Sequence, residues 1–272
     1  MDDPTELERC PVNLGAGGSI VTFPSIELLA TTEWSAPIEM EDRTVHVWGF
    51  SLDGNSSFLE QCRFWLNEDE CVRATRFVRQ QDHVRFVLAH GGLRAVLGRY
   101  LRIGPRDVEL SRSETGKPFL ANELQRQPMI TFNMSHAHGR ALIAVSKGQE
   151  VGVDLERIRP EVEVEKLSER YFASSEHASI MQLAEDQRAP RFFRYWVAKE
   201  AVLKAQGIGL QALHQCEILL RTEGVDAEVL VPEGSRLHSN WKVRLLSCDK
   251  GWEAAVAAQN LDRIAQRNLT GC

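Results

Sequence analysis

Residues 151–156, VGVDLE, constrain the fold of this chain more than any other stretch. Val151, Val153 and Leu155 alternate with Gly152, Asp154 and Glu156, the two-residue period of a β-strand with one apolar face and one acidic face. Two like carboxylates side by side on that face repel each other unless a cation lies between them. A hard, oxygen-preferring ion such as Mg²⁺ suits the pair, above all where phosphate oxygens complete its octahedron. A solvated strand edge is the ordinary alternative for an isolated D-x-E, so the remainder of the chain has to decide.

Around this strand the periodicities change in a repeating order. Residues 44–50 alternate as a first strand, and helical patterns follow over Ser57–Leu66, Asn67–Arg79 and Asp82–Leu101. Asn67 is placed to cap the second of these, with Glu68, Asp69 and Glu70 in its first turn. Gly91 and Gly92 lie inside the long third helix, where each costs about 1 kcal/mol relative to alanine unless another backbone packs closely there. Strands are predicted at 106–112, 130–136 and 140–145, with a tight turn at 114–118 in which Gly116 permits positive φ. After the acidic strand come helices near 164–172, 175–183 (Ser175 as N-cap) and 189–205, then strands at 216–220, 227–231, 241–246 and 252–257. The predicted fold is therefore α+β, two similar α+β halves in a pseudo-two-fold arrangement with the active site in the cleft between them. The expected division is an N-terminal extension over 1–43, halves at 44–148 and 149–260, and a polar, fraying tail over 261–272. The glycine cluster at 15–18 neither follows a strand nor opens a helix and is not read as a phosphate loop.

Composition narrows the function classes. The 272 residues carry a net charge of −6, which gives no general electrostatic case for nucleic acid or an anionic membrane. No apolar run approaches the roughly 20 residues that span a bilayer, and the N-terminus lacks the basic start and apolar core of a signal peptide. The six cysteines are scattered without a C-x-x-C or a histidine pair, which reads as reduced thiols in the cytoplasm. Local basic groups still allow a small anionic ligand. Lys117 on its turn, and Ser135 with His136 at a strand end, are candidate phosphate contacts, and Arg73 lies in a basic cluster with Arg76 and Arg79. On the helix over 189–205, Glu200 shares a face with Trp196, while Lys199 falls on the neighbouring face.

Three stretches in this order, FNMSH at 132–136, GVDLE at 152–156 and WVAKEA at 196–201, resemble the 4′-phosphopantetheinyl transferases, in particular the monomeric two-half class typified by the surfactin-type enzymes. The GKP turn at 116–118 fits the same family, and the resemblance extends over roughly 44–258. It implies transfer of the 4′-phosphopantetheine moiety of coenzyme A to a serine of an apo acyl or peptidyl carrier protein, with adenosine 3′,5′-bisphosphate leaving. By matched position it implies Asp154, Glu156 and Glu200 as ligands of Mg²⁺ (or Mn²⁺), Lys199 beside the leaving phosphate, and Glu200 or a metal-held water as acceptor of the serine proton. Lys204, Ser135, His136 and Lys117 would bind coenzyme A phosphates, and Arg73 the adenosine 3′-phosphate. Glu70 stands where some members have a further basic residue. Two readings compete: a Mg²⁺-dependent hydrolase of coenzyme A-like pyrophosphates, which needs the same metal and phosphate contacts with water as nucleophile, and a non-catalytic carrier-docking module, which would be marked by loss of a carboxylate or of Lys199.

Overall fold

The computed structural model describes residues 12–13, 21–31, 38–121, 129–220, 226–231, 235, 237, 240–262 and 264–267. In chain order its elements are β1 (Val12–Asn13), β2 (Val45–Ser51), α1 (Ser56–Trp65), α2 (Glu68–Ala74), α3 (Gln80–Leu101), β3 (Leu110–Arg112), β4 (Pro118–Leu120), β5 (Ile130–Ala137), β6 (Arg140–Lys147) and β7 (Val151–Arg157). The second half continues with α4 (Val164–Tyr171), α5 (Ser174–Met181), α6 (Glu185–Gln206), β8 (Glu217–Leu220), β9 (Asp226–Leu230), β10 (Lys242–Leu246), β11 (Trp252–Ala258) and β12 (Ile264–Arg267).

The halves share one connectivity. In the first, β2 pairs antiparallel with β6, which forms a hairpin with β5; in the second, β7 pairs antiparallel with β11, which forms a hairpin with β10. Each half also carries one helix of 22 residues, α3 and α6. The fold is α+β in two similar halves, as the order of periodicities predicts. The first sheet runs β1-β12-β2-β6-β5 and the second β7-β11-β10-β9-β8.

Strand alternation decides how the layers stack. Val45, Val47, Leu142 and Ala144 from the first sheet meet Val151, Val153, Leu155, Ala254 and Val256 from the second in one apolar layer. The opposite face of the first sheet, with Trp48, Phe50, Ile143 and Val145, packs under α1 and α3. The opposite face of the second packs under α6. The two sheets thus lie face to face with a long helix on each outer side. The Gly91–Gly92 pair is used where α3 is crowded: a Cβ on Gly91 would lie 2.5 Å from the Cβ of Cys62 on α1, and one on Gly92 2.9 Å from Phe50 and Ile26. The β5–β6 hairpin turns on His138 and Gly139, both at positive φ (45° and 85°), the two-residue geometry that matches strand twist.

Several boundaries differ from the sequence reading. Residues 105–107 form a 3-10 turn instead of the start of a strand, because Arg94 reaches out of α3 to take the carbonyls of Pro105 and Val108. Only 110–112 remain free to pair, with Pro118–Leu120. Helix α5 starts at Ser174, so Ser175 is not its N-cap; Glu176 instead accepts the Ala173 N–H, and the Ser175 hydroxyl donates to Glu217. Residues 264–267, read as fraying tail, pair in parallel with β2, since Ile264 finds a place in the layer between the sheets. The N-terminal extension lies largely outside the described residues, the 15–18 glycine cluster entirely so. Of its described part, Ile26 and Leu29 are buried in the first core.

One close approach governs the second half. A Cβ on Gly152 would lie 2.0 Å from the Ala201 carbonyl oxygen and 2.4 Å from the Ala205 nitrogen, so β7 touches the α6 backbone directly. Gly152→Ala should therefore push α6 off β7. Overpacking of this kind costs about 1–3 kcal/mol, a fall in Tm of roughly 3–10 °C at this chain length. Thermal unfolding of the variant checks this; an unchanged Tm would mean that the contact is soft.

Candidate active site

The contact at Gly152 aims the acidic face of β7 at α6. Asp154 is only 2% exposed. Its Oδ1 accepts from the Ser135 hydroxyl at 2.8 Å and from Lys204 Nζ at 2.5 Å, whereas its Oδ2 is buried with no hydrogen-bond partner. Glu156, two residues on, and Glu200, on α6, complete a group in which one ligand atom from each residue lies within 4.8 Å of the others. Lys204, one turn beyond Glu200, lies 3.5 Å from Glu200 Oε2 and 3.2 Å from Ser135 Oγ.

Three acids and one ammonium leave net negative charge in a poorly solvated place. Burial, then the charges of Asp154 and Glu156, push the Glu200 carboxyl up to about 7 against the pull of Lys204. Burial and Asp154 likewise raise Glu156. Lys204 is raised too: burial lowers it, but Asp154 and Glu200 together outweigh that. A buried carboxylate oxygen with no hydrogen-bond partner among three converging acids makes an all-oxygen donor set that fits a hard divalent ion.

The other residues expected at the site are placed as follows. His136 lies at the end of β5 with its outer surface open to solvent; desolvation by the surrounding protein, and then the proximity of His90 on α3 and of Lys204, push its imidazole down to about 4. Lys117, on the β3–β4 turn, crosses to the other half, where its Nζ meets Glu150 Oε2 at 2.9 Å and the Ala205 carbonyl at 2.8 Å. Thr115 on the same turn donates to the Gly207 carbonyl at 2.8 Å. A cavity of about 230 Å³ opens between this turn, the end of α6 and β5, lined in part by Lys117, Asn133 and Lys204. Arg73 stacks 5.1 Å over Phe86, whose ring lies 4.1 Å from that of His90, so Arg73, Phe86 and His90 form a row from α2 along α3. Arg73 Nη1 is buried without a hydrogen-bond partner.

Lys199 is not brought to this site. One residue from Glu200 is about 100° around a helix, which turns Lys199 away from β7 and into the core under α6. It is 0% exposed and pairs with Glu176 at 2.8 Å. Glu70 is likewise internal: it closes a capping box with Asn67 and accepts from His90 at 2.9 Å and Arg94 Nε at 2.7 Å. Sequence reasoning placed Asn133 near the mouth of the β5–β6 hairpin without a role, and missed His90 and Glu176. Asn133 Oδ1 accepts the Val153 N–H at 2.9 Å and ties β5 to β7; its place in the FNMSH stretch was the available signal. His90 and Glu176 sit in ordinary helical patterns that mark neither.

Two family models divide the chain between them. The model of the 4′-phosphopantetheinyl transferase superfamily matches residues 150–257, and that of the 4′-phosphopantetheinyl transferase N-terminal region matches residues 55–148. The chain is 38% identical over 176 residues to the 4′-phosphopantetheinyl transferase HetI of Nostoc sp., covering 65% of this chain and 74% of the relative. The chain belongs to the 4′-phosphopantetheinyl transferase superfamily. It is also 26% identical over 219 residues to the 4′-phosphopantetheinyl transferase Sfp of Bacillus subtilis, covering 79% of this chain and 93% of that relative. The enzyme is accordingly a 4′-phosphopantetheinyl transferase. Among its described residues no helix is long and apolar enough to cross a membrane.

The self-repelling acids give the transferase a pH signature. Because the folded-state pKa of Glu200 lies above its ordinary value of 4.5, the folded chain holds a proton that the unfolded chain releases between pH 4.5 and 7. The Glu200 contribution to metal-free stability is therefore fully present below this window and is lost as pH rises through it. Between about pH 5 and pH 7.5 the wild type should lose on the order of 3 kcal/mol relative to Glu200→Gln, which has no proton to release there. Denaturant unfolding of both proteins in chelator measures the difference; equal pH slopes would contradict the assigned repulsion.

Proposed function

We propose that the protein transfers the 4′-phosphopantetheine moiety of coenzyme A to a serine of an apo acyl or peptidyl carrier protein, in a Mg²⁺-dependent reaction that releases adenosine 3′,5′-bisphosphate. The observation that carries this reading is the buried, partnerless Asp154 Oδ2 within a triad of converging carboxylates. Asp154, Glu156 and Glu200 are the residues that would hold Mg²⁺, with Mn²⁺ as a substitute. When bound, the ion supplies charge neutralisation on the diphosphate, worth several kcal/mol in a displacement at phosphorus.

The chain's own residues account for the rest. The serine oxygen attacks the phosphorus that bears the pantetheine arm, and the bond from that phosphorus to the bridging oxygen breaks. Lys204, next to the triad, steadies the charge that gathers on the leaving phosphate. Glu200, or a water held beside the triad, is the proposed acceptor of the serine proton. Ser135 and His136 orient the diphosphate from the first half. Lys117 and the 230 Å³ cavity beside it receive the nucleotide end. Arg73, with its unpaired Nη1, meets the 3′-phosphate. The units proposed are halves 44–148 and 149–260, flanked by the extension and the tail. Since one chain supplies both walls of the cleft, the working form is a monomer. The free thiols of Cys62, Cys71, Cys216 and Cys248 suit the cytoplasm.

Incubation with coenzyme A, Mg²⁺ and a panel of apo carriers should raise the carrier mass by one phosphopantetheine arm, read by intact-protein mass spectrometry. No mass shift on fatty-acid, polyketide and peptide carriers alike would refute the transfer reading. Asp154→Ala and Glu200→Ala should each lower the rate by more than about a hundredfold, since each removes a ligand of an ion worth several kcal/mol, while circular dichroism shows the fold retained. Near-normal transfer by either variant would reject the triad.

A further inference from the structure

We propose that Lys199 is a positioning residue: clamped to Glu176 on the far side of α6, it fixes the rotation of the helix so that the adjacent Glu200 meets Asp154 and Glu156. This rests on the metal reading of the triad. The geometry rules out a direct phosphate contact. The ammonium of a lysine has three donors, and all three are used: the Leu213 carbonyl at 3.1 Å, the Cys216 carbonyl, and Glu176 Oε2 at 2.8 Å. Glu176 is equally engaged, accepting the Ala173 N–H and the Ile218 N–H, each at 2.7 Å. The two side chains are 0% and 1% exposed. One ion pair therefore joins α6 to the start of α5, to the turn after α6 and to β8.

Such an anchor has work to do because, apart from the Lys204–Asp154 ion pair, the face of α6 against β7 offers few interlocking contacts. There the helix meets β7 through Gly152, Ala201 and Ala205, small groups that allow close approach but offer no interlocking shape. On the same face Glu200 is repelled by Asp154 and Glu156, and a roll or slide of α6 would relieve that repulsion at the expense of the triad. Buried ion pairs contribute little to net stability compared with apolar replacements of similar shape, so geometry is the better explanation for keeping one here. Residues that orient metal ligands without touching the metal change metal affinity by about 10–100-fold when replaced.

The test is Mn²⁺ binding, followed by electron paramagnetic resonance, in the absence of coenzyme A and carrier. Wild type is compared with Glu176→Gln, Lys199→Met and the double variant, with thermal unfolding alongside. The double variant leaves no unpaired charge in the core and serves if a single variant does not fold. Each variant should bind Mn²⁺ at least about tenfold more weakly, and the double no more weakly than the worse single by more than about twofold. A lysine that acted on the phosphates would leave this ligand-free binding unchanged, so wild-type affinity in a folded double variant overturns the clamp alone. A wild type that binds no Mn²⁺ overturns the metal reading itself, and the clamp with it.

Discussion

The absence of a side chain at Gly152 is the constraint from which the site follows. With nothing between β7 and the backbone of α6 at Ala201 and Ala205, a residue two places along the strand and residues on the nearest turn of the helix are brought within ligand distance. Asp154 becomes buried because α6 covers it, and Glu200 and Lys204 reach it because they lie on the covering face. The alanines of β11, Ala255 and Ala257, continue the same low surface under the helix. A bulkier strand would pack α6 more firmly and hold it too far away for three carboxylates to converge. The second half thus gives up interlocking at one contact in return for a place where like charges can be held together, the pattern expected where strain serves function.

The first half completes that place and holds the second in register. Asn133 takes a backbone donor of β7 that would otherwise face the other sheet unpaired, and Ser135 takes one of the Asp154 oxygens. At the other end of the cleft, the β3–β4 turn docks on the C-terminus of α6. Lys117 and Thr115 satisfy carbonyls that the last helical turn leaves open, and the lysine charge lies at the negative end of the helix dipole. A turn so fastened cannot drift away from Lys204, and the cavity between them is a fixed feature of the fold. Duplication therefore matters chemically: each half supplies what the other's sheet edge lacks.

Much of this was legible in the sequence because short-range periodicity and spacing carry it. The alternation over 151–156 carried both the strand and its acidic face, Asn67 announced its helix cap, and Gly91–Gly92 marked a crowded helix. What was not legible depends on partners distant in the chain. The stretch 106–112 reads as one strand, yet Arg94 takes the carbonyls of Pro105 and Val108 and leaves only 110–112 a ladder to join. Ser175 looks like a cap until Glu176 is found doing that work from inside the helix. Lys199 and Glu200 are neighbours in a charged run, and only the packing of α6 shows that one faces a core and the other a cleft.

Glu70 shows how such packing changes the meaning of a residue type. An acid at that position looks hostile to a phosphate, given that its place in the family is sometimes held by a base. Its carboxylate, however, is already committed. Burial tends to raise its pKa, but the hydrogen bond from His90 and the charge of Arg94 outweigh this and keep it ionised. The negative charge is neutralised within the core at 2.7 Å by Arg94. A second effect follows for His90, which is fixed by the Glu70 contact through its Nδ1 and stacked against Phe86. Phe86 in turn offers its ring to Arg73, and a guanidinium stacked on an aromatic keeps its in-plane donors free for a planar or tetrahedral anion. The acid is thus the foundation of a row that ends in a cation with an unpaired donor.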